Sequence, residues 1–335
     1  MPSSQQRTPT NKQARVWILI LTASVHAASD KEQILTSVST MSTSNPKQLN
    51  AATAHWYNTN PDLEDGRLRA HRVEFEVMLR TILARLPDRP GLKILDIGGA
   101  TGPYTFALAG RGHTVTLVDL SSGLLDLART RAAALPLTSR PARILQGDAT
   151  ALSSIPELAD ERETFDAVLL LGPLYHIMSE PLRNAAIRDA WSMVRADGGG
   201  VLFCAFVSRW AHYRALAMTD PTRLAAKREF YAQHARDGDY VRLDESAVPY
   251  HAMHHETPAE MPRILQRLTG VPAQSVKMIG TEGLLAGGLD KLVNELQEVE
   301  FEAWVEKSLE VGTDEHGWLL ADHIVGIVSK PYIAR

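Results

Sequence analysis

Two carboxylates flank a glycine-rich turn in this chain at a spacing that suits a nucleoside. Asp96 lies within Lys93-Ile-Leu-Asp-Ile-Gly-Gly-Ala-Thr-Gly-Pro103, and Asp119 closes Thr114-Val-Thr-Leu-Val-Asp119. The first apolar run is short and β-branched, as a strand buried on both faces should be. Gly98, Gly99 and Gly102 lack a Cβ, so the turn can be tight and a ligand can approach the backbone. A carboxylate at the end of the second strand can accept hydrogen bonds from both hydroxyls of a ribose. Together these features predict a βαβ nucleoside-binding unit.

The spacing also bears on which nucleoside. A dinucleotide fingerprint reads G-x-G-x-x-G and seats a pyrophosphate on the helix N-terminus. Here the small residues fall as Gly98-x-Ala100-x-Gly102, with Asp96 two positions ahead. A carboxylate is awkward beside a pyrophosphate but suits an ammonium group. S-adenosylmethionine (SAM) carries an ammonium, a sulfonium and no phosphate. A dinucleotide site and a turn that binds nothing are the alternatives.

Further along, Tyr175 and His176 leave an apolar run at its carboxyl end, where ligands sit in open α/β sheets. His176 is the ionisable side chain there with a reference pKa near neutrality, which makes it the candidate general base. The competing reading is a structural histidine bonded to backbone. Tyr175 is expected to shape the pocket rather than react. The run His251-Ala-Met-His254-His255 invites a metal reading, because on a helix His251 and His255 would share a face. Zinc sites need three or four arranged ligands, and the one cysteine, Cys204, lies in a distant apolar run. No metal is expected, and these histidines read as lid, substrate-contact or solvated loop residues.

Strands and helices alternate around these residues. Strands are expected at 94–97, 115–118, 143–146, 165–171 and 201–207, with helices at 101–110, 121–134 (N-capped by Ser121) and 179–194 (capped by Ser179). Residues 63–86 read as a helical approach to the first strand. Residues 208–256 are polar and rich in Arg, Tyr and His, and read as an inserted lid or substrate cap. A helix at 258–268, a strand near 276–280, a long helix at 289–309 and a last strand at 323–328 complete the pattern. The 289–309 helix carries an apolar stripe of Leu289, Leu292, Val293, Leu296, Val299 and Trp304. The fold class is α/β: a Rossmann-like, seven-stranded, mostly parallel sheet with helices on both faces and an inserted cap.

At 335 residues with 44% apolar content, the chain can hold one large domain with insertions or two small ones. A net charge of −4 argues against a dedicated nucleic-acid binder. One cysteine excludes an intrachain disulfide framework. Residues 1–29 contain no Asp or Glu, and Arg7, Lys12 and Arg15 precede the apolar stretch 16–28. That stretch resembles a secretory signal or a transit peptide and is too short to span a bilayer. A SAM-dependent enzyme needs the cytosolic cofactor pool, and Met41 begins a shorter plausible start. Residues 1–46 are therefore read as a disordered, wrongly assigned or targeting extension, residues 47–335 as the domain, and the location as cytoplasmic without a membrane partner.

With these elements placed, the chain from about residue 50 onward resembles the class I SAM-dependent methyltransferases. The resemblance is closest to bacterial-type small-molecule methyltransferases with a Gly-Pro-Leu-Tyr-His signature after strand four. Here that signature stands within Leu171-Gly172-Pro173-Leu174-Tyr175-His176. The cofactor loop, the Asp148 position and the closing His323-Ile-Val-Gly-Ile-Val-Ser-Lys330 also match. The family loop usually reads Gly-Gly-Gly-Pro-Gly. Ala100 and Thr101 replace its third glycine and its proline, and an alanine is tolerated there if its φ is negative.

The resemblance implies SAM as cofactor, with Asp96 and the loop backbone on its methionyl end and Asp119, with Leu120 beside it, on the ribose. It further implies Asp148 and Ala149 at the adenine, with Leu171 and Gly172 as the floor beneath the sulfonium. The implied activity is methyl transfer to an O, N or S nucleophile of a small molecule. An RNA or protein methyltransferase and a non-catalytic SAM-binding regulator are the rivals.

Overall fold

The computed structural model describes residues 46–196, 198–243 and 249–331. The N-terminal extension read from the sequence lies outside the described residues, apart from its last position. Three helices precede the first strand: α1 (Pro46–Thr59), α2 (Pro61–Ala70) and α3 (Arg72–Leu83). The sheet then begins with β1 (Lys93–Ile97), α4 (Pro103–Ala109), β2 (Thr114–Asp119), α5 (Ser122–Ala133), β3 (Arg143–Gln146) and β4 (Ala167–Leu170). It continues through α6 (Glu180–Met193) and β5 (Val201–Val207).

The segment after β5 folds as α7 (Arg209–Thr219), α8 (Arg223–Ala226), α9 (Arg228–Asp237) and the hairpin of β6 (Asp239–Leu243) with β7 (Pro249–His254). The chain returns through α10 (Met261–Thr269), β8 (Lys277–Gly280), α11 (Asp290–Asn294), α12 (Glu298–Thr313) and β9 (His323–Ser329).

Seven strands form one sheet in the order β3-β2-β1-β4-β5-β9-β8. Pairing is parallel from β3 to β5, and β9 runs antiparallel to both of its neighbours. β4 and β5 are apolar throughout because helices cover both faces, and all seven residues of β5 are buried. Side chains alternate between the faces. Leu95, Ile97 and Leu170 pack with Ile187 of α6 and Leu265 of α10. Ile94, Leu169 and Phe203 pack with Met78 and Ile82 of α3 and Leu108 of α4. Cys204 is fully buried in β5, where desolvation raises its thiol pKa, consistent with an inert core residue. Because the order reverses at β1, the connections after β1 and β4 leave on opposite sides and open a crevice at the strands' carboxyl ends.

Several expectations are corrected. The single helix at 63–86 is two helices with a break at His71, whose φ of −91° and ψ of 59° are non-helical. The helix at 289–309 is also two, and Gln297, at φ −69° and ψ 163°, restarts the chain in a new phase. The apolar stripe projected across that break therefore holds only in part: Leu292 is 79% and Val299 81% exposed, and Leu289 is exposed as well. Val293 of that stripe is buried and Leu296 packs against the same cluster, which Phe301 and Val305 complete. Ser179 stands at the N-cap of α6 but makes no capping bond with its side chain, whereas Ser121 accepts from the Leu124 N–H as expected. The histidines of 251–255 lie on β7 and just beyond it, so helical i, i+4 spacing does not apply.

Candidate active site

The loop after β1 turns through left-handed backbone at Gly98 (φ 68°) and Gly102 (φ 81°). Ala100 is also left-handed, at φ 52°, against the negative φ expected for an alanine. An L-residue there costs about 1–2 kcal/mol. Two contacts hold the strained turn. The Ala100 N–H donates to Asp119 Oδ2 at 2.8 Å. The hydroxyl of Thr101, which replaces the family's proline, donates to Asp65 Oδ1 at 2.6 Å, and Arg131 bonds both the Thr101 carbonyl and Asp65.

Asp119 completes its span by accepting the Ser121 N–H on Oδ1 at 2.8 Å. Asp96 accepts the Thr105 hydroxyl at 2.6 Å. Burial pushes both carboxyls up to about 6, the two like charges adding to the effect at Asp96, while their hydrogen bonds oppose it. Asp148 Oδ1 accepts from the backbone N–H and the hydroxyl of Thr150, each at 2.8 Å. One oxygen of Asp148 thus caps the loop that follows it.

One cavity is lined by Asp96, Gly98, Gly99, Ala100, Asp119, Leu120, Asp148, Ala149, Leu171, Gly172, Tyr175 and His176. Gly102 alone of the loop residues expected at the cofactor is not on its wall, serving as the N-cap position of α4. The glycines are needed for close approach. A Cβ on Gly98 would lie 2.3 Å from Pro173 Cγ, and one on Gly172 would lie 2.9 Å from the Gly98 carbonyl oxygen. The ends of β1 and β4 therefore touch backbone to backbone at the cavity floor.

The residues present fit SAM. Two buried carboxylates held at raised pKa would be relieved by an ammonium and by ribose hydroxyls, and the glycine cradle leaves room for the nucleoside. A pH dependence follows. Between the ordinary carboxylate range and about 6, the ligand-free fold retains protons on Asp96 and Asp119. A cationic ligand favours their ionised forms, so SAM affinity is expected to fall as pH drops through about 6, with proton release on binding near that pH. Calorimetry in buffers of different ionisation heat measures both, and an affinity flat across this range would remove the carboxylates from the binding account.

His176 has both ring nitrogens engaged. Nδ1 donates to the Ala252 carbonyl at 3.2 Å, and Nε2 accepts from the Tyr57 hydroxyl at 2.9 Å. Burial lowers its pKa to about 4. A neutral ring tied on both sides matches the structural reading of His176 better than a general base. His176→Gln is accordingly expected to keep turnover within about tenfold, far from the 10²–10⁴ a general base supplies. A loss of 10²-fold with intact SAM affinity would restore His176 as the base.

Three groups at the site have no counterpart in the sequence reading. Tyr57 lines the cavity from α1. Asn58 beside it accepts from the Ser121 hydroxyl at 2.7 Å and the Gly123 N–H at 3.1 Å, fastening α1 over the start of α5. On the far side, Arg67, Glu74, Phe75 and Met78 of α2 and α3 face Thr281, His323 and Val325 across the same cavity. The signals available were the Trp56-Tyr57-Asn58 cluster ahead of Asn60-Pro61, and the histidine at the head of the last strand. Of the lid histidines, His254 bonds Asp239 and Glu256, and His255 Nδ1 bonds His234 Nε2 at 2.9 Å. Neither lines the cavity.

Residues 94–198 match the family of methyltransferase domains. A ubiquinone biosynthesis O-methyltransferase of Xanthomonas campestris is 31% identical over 160 residues, 48% of this chain and 60% of that one. A demethylmenaquinone methyltransferase of Streptomyces avermitilis is 28% identical over 141 residues, 42% of this chain and 54% of that one. The chain thus spans little more than half the length of these curated relatives. A SAM-dependent methyltransferase of Thermotoga maritima, titled a possible histamine N-methyltransferase, superimposes with a TM-score of 0.50 at 15% identity, over 83% of this chain and 99% of that one. It shares the fold.

Proposed function

We propose that the protein is a class I SAM-dependent methyltransferase that methylates a small-molecule acceptor, a reading supported by the methyltransferase-domain match over residues 94–198 and by the sheet order. The observation that carries this reading is one continuous cavity, which runs from Asp96 and Asp119 past Leu171 and Gly172 to the side lined by Phe75, Met78, Ala205 and Val325. Bound SAM supplies an activated methyl group that a nucleophile takes by in-line displacement. The protein's part is to hold acceptor and donor near attack distance and to exclude water.

Asp119 and the loop N–H groups would orient the nucleoside, Asp96 would hold the ammonium, and Asp148 would meet the adenine. α1 covers the cofactor half, with Tyr57 on the cavity wall and β7 packed against the helix. An acceptor side in which Phe75, Met78, Ala205 and Val325 surround a few charged groups suits a small molecule. Among the described residues no helix is long and apolar enough to cross a membrane. The reading places the enzyme in the cytosol, where SAM is made.

Calorimetry on the full chain tests the cofactor assignment. SAM and S-adenosylhomocysteine are expected to bind, and NAD is not. Binding of NAD without SAM would overturn it.

A further inference from the structure

The acceptor side of the cavity holds a histidine whose Nδ1 faces two carboxylates. His323 opens β9, and its ring Nδ1 is hydrogen-bonded to Glu282 Oε1. Its backbone N–H donates to the same carboxylate at 3.1 Å. Glu282 is buried, and Glu74 Oε2 of α3 stands 3.7 Å from the same ring nitrogen. Behind Glu74, His71 lies 3.9 Å from its carboxylate and 3.6 Å from Asp290 of α11. Tyr175 packs edge-on to the His323 ring at 6.3 Å between centroids. Glu74 and His323 both line the cavity. With Nδ1 committed to Glu282, Nε2 is the nitrogen the ring can offer to a ligand.

We propose that Glu74 and His323 form the acceptor-activating pair of this methyltransferase, that Glu282 positions His323, and that the acceptor is a hydroxyl on an apolar body such as a phenol. The inference rests on the methyl-transfer reading above and deepens it. Burial opposes a charged His323, but Glu74, Glu282 and the neighbouring Asp322 overcome it and push its pKa up to about 10. The ring is then an imidazolium at neutral pH, and Nε2–H is a donor. Burial likewise opposes charge on Glu74, yet His323 and His71 hold its carboxyl below the usual range. The pair thus presents one donor and one acceptor, and the triad with Glu282 carries a net charge of −1.

A hydroxyl suits both halves, because its oxygen can accept from Nε2–H and its proton can pass to Glu74, which lines the same cavity. An ammonium has no lone pair for the donor, and a carboxylate has no proton for the acceptor and is repelled by the net charge. Phe75 stacks on Tyr104 at 5.2 Å beside this pair, and with Met78 and Val325 they give the remainder an apolar seat. In the transfer, the oxygen's electron pair forms the new C–O bond as the C–S bond breaks, and the sulfur keeps that pair. The hydroxyl proton passes to Glu74 and then to solvent, while the imidazolium stabilises the developing oxyanion.

The test uses the full chain with ¹³C-methyl-labelled SAM and a metabolite extract of the native host, reading the acceptor atom from the methyl signal of the product. The methyl is expected on oxygen. His323→Gln and Glu74→Gln should each lower turnover by about 10²-fold or more with SAM affinity within a few-fold, which also shows that the variants fold. Glu282→Gln removes a charge that holds His323 protonated, so activity should be lost at lower alkaline pH than in wild type. Its profile separates a positioning role from a merely structural one.

A methyl on nitrogen or sulfur, full turnover in both pair variants, or an unshifted Glu282→Gln profile would overturn the inference and leave methyl transfer standing. The three ligand atoms lie within 4.8 Å of one another, so loss of activity on chelation with recovery on adding a divalent cation would also overturn it, in favour of a metal. If wild type binds SAM and yields no labelled product, the proposed function itself fails, and this inference with it.

Discussion

Asp119→Ala is expected to bind SAM about 1.5–3 kcal/mol more weakly than wild type, roughly 10- to 150-fold, the scale of charge-assisted hydrogen bonds to a ligand. A second cause acts in the same direction. Asp119 spans the Ala100 and Ser121 N–H groups, so its removal releases the one alanine held at positive φ from a partner that keeps it there. The loop should then relax away from the geometry that receives the nucleoside. Asp119→Asn can still accept one of those two N–H bonds and should fall between wild type and alanine. Thermal melts separate affinity from folding, because a raised carboxyl pKa at this position already means that the charge is a cost to the ligand-free fold. Unchanged SAM affinity in a folded Asp119→Ala protein would assign Asp119 to loop capping alone and send the ribose elsewhere.

Gly98→Ala is the more destructive change. Its Cβ would lie 2.3 Å from Pro173 Cγ and 2.6 Å from Cδ, at a φ of 68° that an L-residue adopts only with strain. Strain of about 1–2 kcal/mol adds to an overpacking cost of about 1–3 kcal/mol, for a loss of stability of about 2–5 kcal/mol. The floor where β1 meets the turn after β4 must also separate, so SAM binding should be lost in whatever protein remains folded. Gly199→Ala is the matched control, with φ 93° and nothing within 4 Å of its Cβ. It carries the backbone strain without the collision. If the two variants melt alike, the close approach at Gly98 contributes nothing beyond backbone conformation.

The parts of this fold that were legible in the sequence are those governed by local rules. β1, β2, β4 and β5 are runs whose largely apolar composition marks burial on both faces, and Gly98 and Gly102 punctuate the turn. The Asp96 and Asp119 positions follow from that framework without any tertiary knowledge. What was not legible depends on contacts distant in sequence. α1 carries Leu49 and Trp56 but only a weak stripe, and its place over the cofactor side is secured by Asn58 bonding Ser121, 63 positions away. Part of the 289–309 stripe, Val299 among it, faces solvent because an extended Gln297 resets the helical phase, while Val293 and Leu296 pack inward.

The site shows the same division. His176 drew the base assignment because it follows strand four, where ligands gather, but nothing local reveals that Tyr57 and Ala252 occupy its two nitrogens. His323 stood at the head of a recognised strand, and its chemistry depends on Glu74 and Glu282, brought in from 249 and 41 residues earlier in the chain. Ala100 is a smaller instance. Its substitution for glycine was visible, whereas the sign of its φ is set by Asp119 and by the anchoring of Thr101 to Asp65.

The central claim is that the cavity between Asp119 and His323 joins a methyl donor to a small acceptor. Incubating the full chain with methyl-labelled SAM and a mixed extract of metabolites, RNA and protein, then following the label, tests it most directly. The account predicts label in a small-molecule fraction at a rate that collapses in Asp119→Ala. Label in RNA or protein, or label that stays on SAM although SAM binds, would contradict it.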